Sequence, residues 1–296
     1  FNGDNNQDTT KSKNNMIRYI IKFCLGIVLI IVGYYFVSDN LQPEIIGAGI
    51  LLLVDLLILD ALYDLINNWK RIFLVIKCKY LGFSNQYIRF SMSYLYRIKV
   101  NDKYLLVKSS NFPHYQLVGG KYKRLKGTQS LLRKEFDAKD DIKLATSGLM
   151  KHDYALFVPA KKAIKFLDWF NTKQDREISH WREFYEELVD GKGKILSREN
   201  FPYVNYNYVG TITTPIKRTP GWDCYEILQY DILDLIPTSK QKKELEALLE
   251  KGDTEYIKWA DTELVNSLGH CNKTQKLLYK IGGHTKWALN MKWSKD

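Results

Sequence analysis

Two long apolar runs near the N-terminus constrain this chain more than any other feature. The first, "IRYIIKFCLGIVLIIVGYYFV", covers Ile17–Val37, and Phe23–Val37 carries no charge. The second, "IIGAGILLLVDLLILDALYDLI", covers Ile45–Ile66. At about 1.5 Å per helical residue, each is long enough to cross a hydrocarbon core of about 30 Å. The polar segment "SDNLQPE", with Pro43, lies between them as a turn. A secretory signal peptide is one alternative for the opening run, but the run is too long, lacks an obvious small-residue cleavage site and is followed at once by a second. A buried helical hairpin in a soluble domain is the other. The pattern predicts a two-helix transmembrane hairpin over 16–69, behind a polar tail at 1–15 whose composition suits disorder.

The flanks orient the hairpin. Lys11, Lys13, Arg18 and Lys22 lie before or at the start of the first run, and Trp69, Lys70, Arg71, Lys77 and Lys79 follow the second. The turn holds Asp39 and Glu44 but no Lys or Arg. Positive charge stays inside, so both termini are expected in the cytoplasm. Gly26 and Gly33 share a face of the first run and would allow close helix packing. The second run carries Asp55, Asp60 and Asp64. At 100° per residue Asp60 and Asp64 share a face, while Asp55 lies well round from both. A carboxylate near mid-membrane costs a lone helix ~3 kcal/mol or more. Asp55 is therefore expected to be protonated, paired, or facing water in an assembly. Asp55 and Asp60 are the candidate membrane-effector residues.

The remainder reads as one mixed α/β domain over 88–296, reached through a linker at 70–87. "YIRFSMSYLYRIKV" alternates as a strand should, "ND" at Asn101–Asp102 turns, and "KYLLVKSS" returns as a hairpin. "HYQLVGGKYK" reads as a third strand broken at Gly119–Gly120, followed by an insert to about Lys151 and the strand "DYALFVPA". "KKAIKFLDWFNT" has a helical apolar stripe, and "REISHWREFYEELVDGKG" reads as a second helix stopped by Gly191. Two long strands, "YVNYNYVGTITTPIKRT" and "WDCYEILQYDILDLI", precede a capped helix that begins after Thr238 or Ser239.

The totals narrow the chemistry. Lys plus Arg outnumber Asp plus Glu by 44 to 33, a formal charge of +11 that favours an anionic partner, whether nucleotide, nucleic acid or lipid headgroup. The 20 tyrosines supply stacking surfaces. Cys24, Cys78, Cys224 and Cys271 form no CxxC, which excludes a disulfide framework as the organising principle. The five histidines show no zinc-ligand spacing.

The motif that carries chemistry is "REFYEEL", Arg182–Leu188. Helical spacing of Glu183, Glu186 and Glu187 would gather three carboxylates, which suits Mg²⁺ bridging substrate phosphates. The alternative is an ordinary solvated acidic helix, with Arg182 paired to Glu186 one turn on. The segment matches the core of the Nudix box, R-E-φ-x-E-E. Around that core the match fails. Gln174 stands at the upstream glutamate position, Asp168 at the upstream glycine, and Val189 at the glycine after the paired glutamates.

Together, "SYLYRIKVNDKYLLVKS", "YQLVGGKYK", "DYALFVPAKKAIKFLDWF", "REFYEEL" and "GHTKWAL" resemble the SMODS-associated Nudix effectors of bacterial cyclic-oligonucleotide anti-phage signalling (CBASS). The resemblance runs from about Ile17 to Leu289. It implies an α+β fold: a Nudix-like mixed sheet flanked by helices, preceded by the transmembrane hairpin in the bacterial inner membrane. It implies that the Nudix-like domain binds a cyclic oligonucleotide made by a partner nucleotidyltransferase. Self-association of the spans then disrupts the lipid bilayer. No cofactor is required on that reading, Mg²⁺ is the ion the acidic trio would take, and no nucleic-acid polymer is expected as a partner.

A cyclic oligonucleotide needs donors for its phosphates and aromatic faces for its bases. The candidate ligand residues are Gly119 and Gly120 for close backbone approach, Lys121, Lys123 and Arg124 for charge, and Tyr94, Tyr96 and Tyr122 for stacking. Each of these is also an ordinary surface or sheet-packing residue type. Two rival functions stand beside the sensor: a membrane-anchored Nudix pyrophosphatase acting on a nucleoside diphosphate derivative, and a purely structural scaffold. The departures from the box point away from catalysis.

Overall fold

The computed structural model describes residues 22–37, 41–110, 112–141, 153–191, 194–218 and 223–295, less the side chains at 56, 57, 59–61, 63, 64 and 67. The chain divides into two compact units, Phe1–Val75 and Ile76–Asp296.

In the first unit, helix α1 (residues 22–36) packs against α2 (Gln42–Lys79), which runs on into the second unit. Small residues set their separation. A Cβ at Gly26 would lie 2.9 Å from Leu53 Cδ2, one at Gly33 would lie 2.8 Å from Ile46 Cγ1, and one at Gly49 would lie 2.7 Å from the Gly26 carbonyl. The close packing expected at Gly26 and Gly33 is present, and Gly49 provides the facing notch. Phe23, Val28, Leu51 and Val54 are exposed. Among the described residues no helix is long and apolar enough to cross a membrane. The tail at 1–15, the flanking Lys11, Lys13 and Arg18, residues 17–21 and the side chains of Asp60 and Asp64 lie outside the described residues. Asp55 is described and exposed.

The second unit is built on β1 (Tyr87–Arg97), whose alternation buries nine successive residues and so fills both faces of the sheet. Its two edges differ. Along one, β9 (Tyr225–Ile236) runs parallel from Ile88 to Arg97. The other is shared: β6 (Ala155–Pro159) pairs with Tyr87–Ser91, and β4 (Tyr115–Lys121) pairs with Ser93–Tyr96. The sheet continues from β4 to β3 (Lys103–Lys108) and then β10 (Ile257–Asp261), and from β6 to β5 (Lys139–Asp140). Beyond β9 lie β7 (Asn205–Thr213) and β8 (Lys217–Arg218).

Period-two alternation then assigns the faces. Ile88, Phe90, Met92, Tyr94 and Tyr96 look towards α4 (Ala163–Asn171) and α5 (Trp181–Phe184), with Phe90 and Phe166 in edge contact at 4.9 Å and Tyr96 and Phe184 at 5.5 Å. Leu95 looks the other way, into a core with Leu106, Leu117, Ile232 and Trp287 beneath α7 (Thr262–Asn266) and α8 (Gly283–Asn290). On this second face buried Arg89 bonds both Asp141 and Glu226 at 2.7 Å, so charges carried inside are paired.

The tight turn at Asn101–Asp102 has both residues at positive φ, 44° and 64°, joining β2 (Lys99–Val100) to β3. The capped helix is α6 (Ser239–Lys251), with Thr238 and Gln241 forming a reciprocal capping box. Two expectations are corrected. β4 passes through Gly119–Gly120 without a break, because both residues keep their pairing to β1. The acidic helix starts at Trp181, since Arg176 and Glu177 are drawn into extended bonds with Arg124 and Lys123. The insert holds a helix, α3 (Thr128–Phe136), and β5, while its stretch 142–152 lies outside the described residues.

Candidate functional site

The site begins where β4 and β6 part from the edge of β1. Three backbone bonds close a ring there: Tyr122 N–H to Met92 O at 3.0 Å, Met92 N–H to Tyr154 O at 3.0 Å and Tyr154 N–H to Tyr122 O at 2.8 Å. Just before Tyr122 on the same strand, Gly119 and Gly120 form the floor on which the acidic helix sits. A Cβ at Gly119, where φ is 149°, would lie 2.1 Å from Tyr94 O. A Cβ at Gly120 would lie 2.1 Å from Glu183 Cδ. Glycine is needed at 120 because the Glu183 carboxylate occupies the volume a side chain would take.

The helix is not uniform. After α5 the chain makes a π turn over Tyr185–Val189, closed by Asp190 N–H donating to Tyr185 O at 2.9 Å. Such turns accommodate an extra residue and swing later side chains away from their α-helical positions. Gly191 ends the element, since a Cβ there would lie 1.5 Å from Glu186 O. Thus the glycine missing at Val189 has a counterpart two positions on.

Every acid of the trio has an internal use. Arg182 Nη1 donates to Glu183 at 2.7 Å and to Glu186 at 3.1 Å. Its Nε donates to Glu177 at 3.1 Å and its Nη2 to the Lys121 carbonyl at 2.9 Å. Arg182 therefore ties the helix to β4 and holds three carboxylates at once, which raises its own pKa despite its burial. Glu187 accepts the Gly119 N–H at 2.9 Å. Burial first, and the nearby Glu183 and Glu186 second, push the Glu187 carboxyl well above the usual carboxylate range, although the Gly119 bond opposes this. Glu183 is likewise raised by burial, against the opposing charge of Arg182. Among the described residues no three His, Cys, Asp or Glu side chains stand together as a metal site. Held this way, by Arg182 and by a backbone amide, the trio does not fit a divalent ion.

The expected ligand residues are also engaged within the fold. Tyr94, Tyr96 and Tyr122 are buried at 1 % exposure or less, so none presents a ring face for stacking. Gly119 and Gly120 face Tyr94, Glu183 and Glu187, not solvent. Lys123 pairs with Asp153 at 2.5 Å and Arg124 with Asp140 at 2.6 Å. Lys121 is half-buried, and desolvation lowers its pKa.

A second group of residues, absent from the sequence-based expectation, joins the same face to the surface. Asp231 of β9 is buried and receives two hydrogen-bonded chains. In one, Tyr122 Oη donates to Asp231 Oδ2 at 2.5 Å, His180 Nε2 lies 2.8 Å from Tyr122 Oη, and His180 Nδ1 lies 2.9 Å from Tyr206 Oη. In the other, Thr211 Oγ1 donates to Asp231 Oδ1 at 2.5 Å and lies 2.6 Å from Tyr208 Oη. A carboxylate only accepts, so Tyr122 and Thr211 donate to Asp231, and their oxygens in turn accept from His180 Nε2–H and from the Tyr208 hydroxyl. Burial lowers the His180 pKa to about 4, so the ring is neutral, and with its proton on Nε2 its Nδ1 accepts from Tyr206.

Behind this network lies Arg176, only 4 % exposed. Its guanidinium stacks 3.9 Å over the Tyr122 ring and 4.3 Å over Phe170, and reaches 3.6 Å from Asp231. Among the described residues its Nε and Nη1 have no hydrogen-bond partner. Each such buried N–H costs about 1–3 kcal/mol. Sequence signals for the network existed: His180 stands two residues before the box, and Asp231 is an acid inside a largely apolar strand.

A search of curated proteins and a search of solved structures each return no match. The family described as SMODS-associated NUDIX domain matches residues 87–289, from the first residue of β1 to within α8. That match spans the split sheet, the Gly-Gly floor, the acidic helix and the Asp231 network together. This chain belongs to the SMODS-associated NUDIX domain family.

Proposed function

We propose that the Nudix-like domain is a sensor: it binds a cyclic oligonucleotide from a partner nucleotidyltransferase and does not hydrolyse it. The observation that carries this reading is the internal commitment of Glu183, Glu186 and Glu187 to Arg182 and Gly119. A diphosphate hydrolase needs these oxygens free for metal. Here they fasten the helix to β4, a use that suits a rigid binding scaffold. The excess of basic residues suits an anionic ligand.

Binding favours self-association of the domain by as much as its affinity differs between the free and associated states. Association concentrates the N-terminal hairpins, and Asp55 side chains gathered in one assembly share water in place of lipid. Supporting this part are the apolar runs, the basic flanks and the close approach at Gly26, Gly33 and Gly49.

The test is dye release from liposomes carrying the full chain, upon addition of cyclic di- and trinucleotides. Release by one of them, abolished by Asp55→Leu with ligand binding intact, supports the reading. Unchanged release from the Asp55→Leu protein removes Asp55 from it. Magnesium-dependent breakdown of the nucleotide refutes the sensor role and restores the hydrolase.

A further inference from the structure

The aromatic faces a nucleotide needs are found on β7, not β1. Tyr206 and Tyr208 lie two residues apart, on the same side of the sheet as α5, and are 37 % and 50 % exposed. Exposed tyrosines on an edge strand are common, but these two are not free to swing. Each hydroxyl is anchored, through His180 and Tyr122 in one case and Thr211 in the other, to the buried Asp231 carboxylate. Two ring planes are thereby set in advance, with the hydroxyl ends tied down and each ring partly exposed. Preorganisation of this kind reduces the ordering cost of binding.

Positive charge stands beside the rings. Lys173 Nζ sits 5.4 Å from the Tyr208 ring centroid, on an exposed turn where Lys173 and Asp175 both take positive φ, 62° and 55°. A base stacking on Tyr208 would displace the ammonium, whose long stem can carry it to a phosphate on the sugar of the same nucleotide. Buried Arg176, whose Nε and Nη1 lack partners among the described residues, adds fixed positive charge behind the same network.

We propose that Tyr206 and Tyr208, with Lys173 alongside, form the subsite that stacks a nucleobase and holds its phosphate. The proposal rests on the sensor reading and gives it a location. Among the described residues no hydrogen bond joins either tyrosine to the acidic trio, so ligand recognition here is separate from the residual Nudix box.

The full chain in detergent is titrated with cyclic di-AMP, cyclic di-GMP, cyclic GMP-AMP and cyclic tri-AMP, and with the linear dinucleotides pApA and pGpG, by calorimetry. Tyr208→Ala is expected to weaken the bound nucleotide by about 5- to 150-fold, the range of one base stacked on an aromatic ring. Tyr208→Phe retains the ring and most of the affinity. Lys173→Gln weakens binding and flattens its salt dependence. Tyr203→Ala, an exposed tyrosine outside the network, changes nothing. Ultraviolet crosslinking followed by mass spectrometry places the nucleotide on the peptide holding Tyr206 and Tyr208.

If Tyr206→Ala and Tyr208→Ala both bind as the wild type does, or the crosslink falls elsewhere, the subsite is overturned while the sensor stands. If linear dinucleotides bind as well as cyclic ones, the subsite stands and the cyclic ligand class is lost. If the wild type binds none of the panel, both fall.

Discussion

Gly120 and Glu183 share one volume: a Cβ on the glycine would lie 2.1 Å from the carboxylate carbon of the glutamate. The relationship explains why a glycine in a paired strand faces a glutamate on a helix more than sixty residues later. It also supplies the first test. Gly120→Ala is expected to destabilise the fold by about 1–3 kcal/mol through overpacking. Glu183→Ala in the same chain should recover part of that loss, giving a coupling of about 1 kcal/mol or more in a double-mutant cycle by denaturant unfolding. Additive costs would mean that the two residues do not compete for space.

Arg182 holds Glu177, Glu183, Glu186 and the Lys121 carbonyl. Arg182→Ala leaves three acids facing one another with no cation between them. The expected loss is about 3 kcal/mol. The freed acids should also take up divalent cations, so Mn²⁺ should raise the Tm of Arg182→Ala and leave the wild type unmoved. A wild-type Tm that rises with Mn²⁺ would show that the trio binds metal as it stands.

Glu187 has a raised pKa, so its folded state holds a proton that the unfolded chain releases earlier. The sign follows. The resulting destabilisation is absent below the ordinary carboxylate range, grows as pH climbs through it, and is complete above the folded-state value. Glu187→Gln keeps an acceptor for Gly119 and cannot ionise. At neutral pH it should raise Tm by about 3 °C, with the gain vanishing in acid. Equal gains at both pH values would locate the effect outside the titration.

His180 is expected to stay neutral throughout the physiological range, its pKa lowered to about 4 by burial. The stability tied to the neutral ring is full above the unfolded value near 6.5 and is lost as pH falls towards the folded value. Its imidazole resonances should therefore stay flat from about pH 8 down to about pH 5.5. A midpoint near 6.5 would contradict the one-way hydrogen-bonded chain from Tyr206 to Asp231.

Much of the architecture was legible because it rests on local chemistry. The alternation of Tyr87–Arg97, the Asn101–Asp102 turn and the Thr238 cap each act over a few residues. The acids of the box were visible too, and so was the pairing of Arg182 with Glu186. What sequence spacing did not show was long-range register. Whether Tyr94 and Tyr122 are surface or core depends on α4 and α5 lying over β1, and their burial moved the open aromatic faces to β7. The π turn was hidden for a similar reason, since it is read from Asp190 and Tyr185 bonding across five residues, not from any residue type.

The central claim is that this Nudix-like domain binds a cyclic nucleotide and leaves it whole. The most direct measurement mixes the full chain in detergent with the cyclic nucleotide panel and Mg²⁺, reading binding by calorimetry and the nucleotide's mass afterwards. The account predicts saturable binding of one cyclic nucleotide, recovered at unchanged mass. Recovery of linear or hydrolysed products in a Mg²⁺-dependent, Glu187-dependent manner would contradict it.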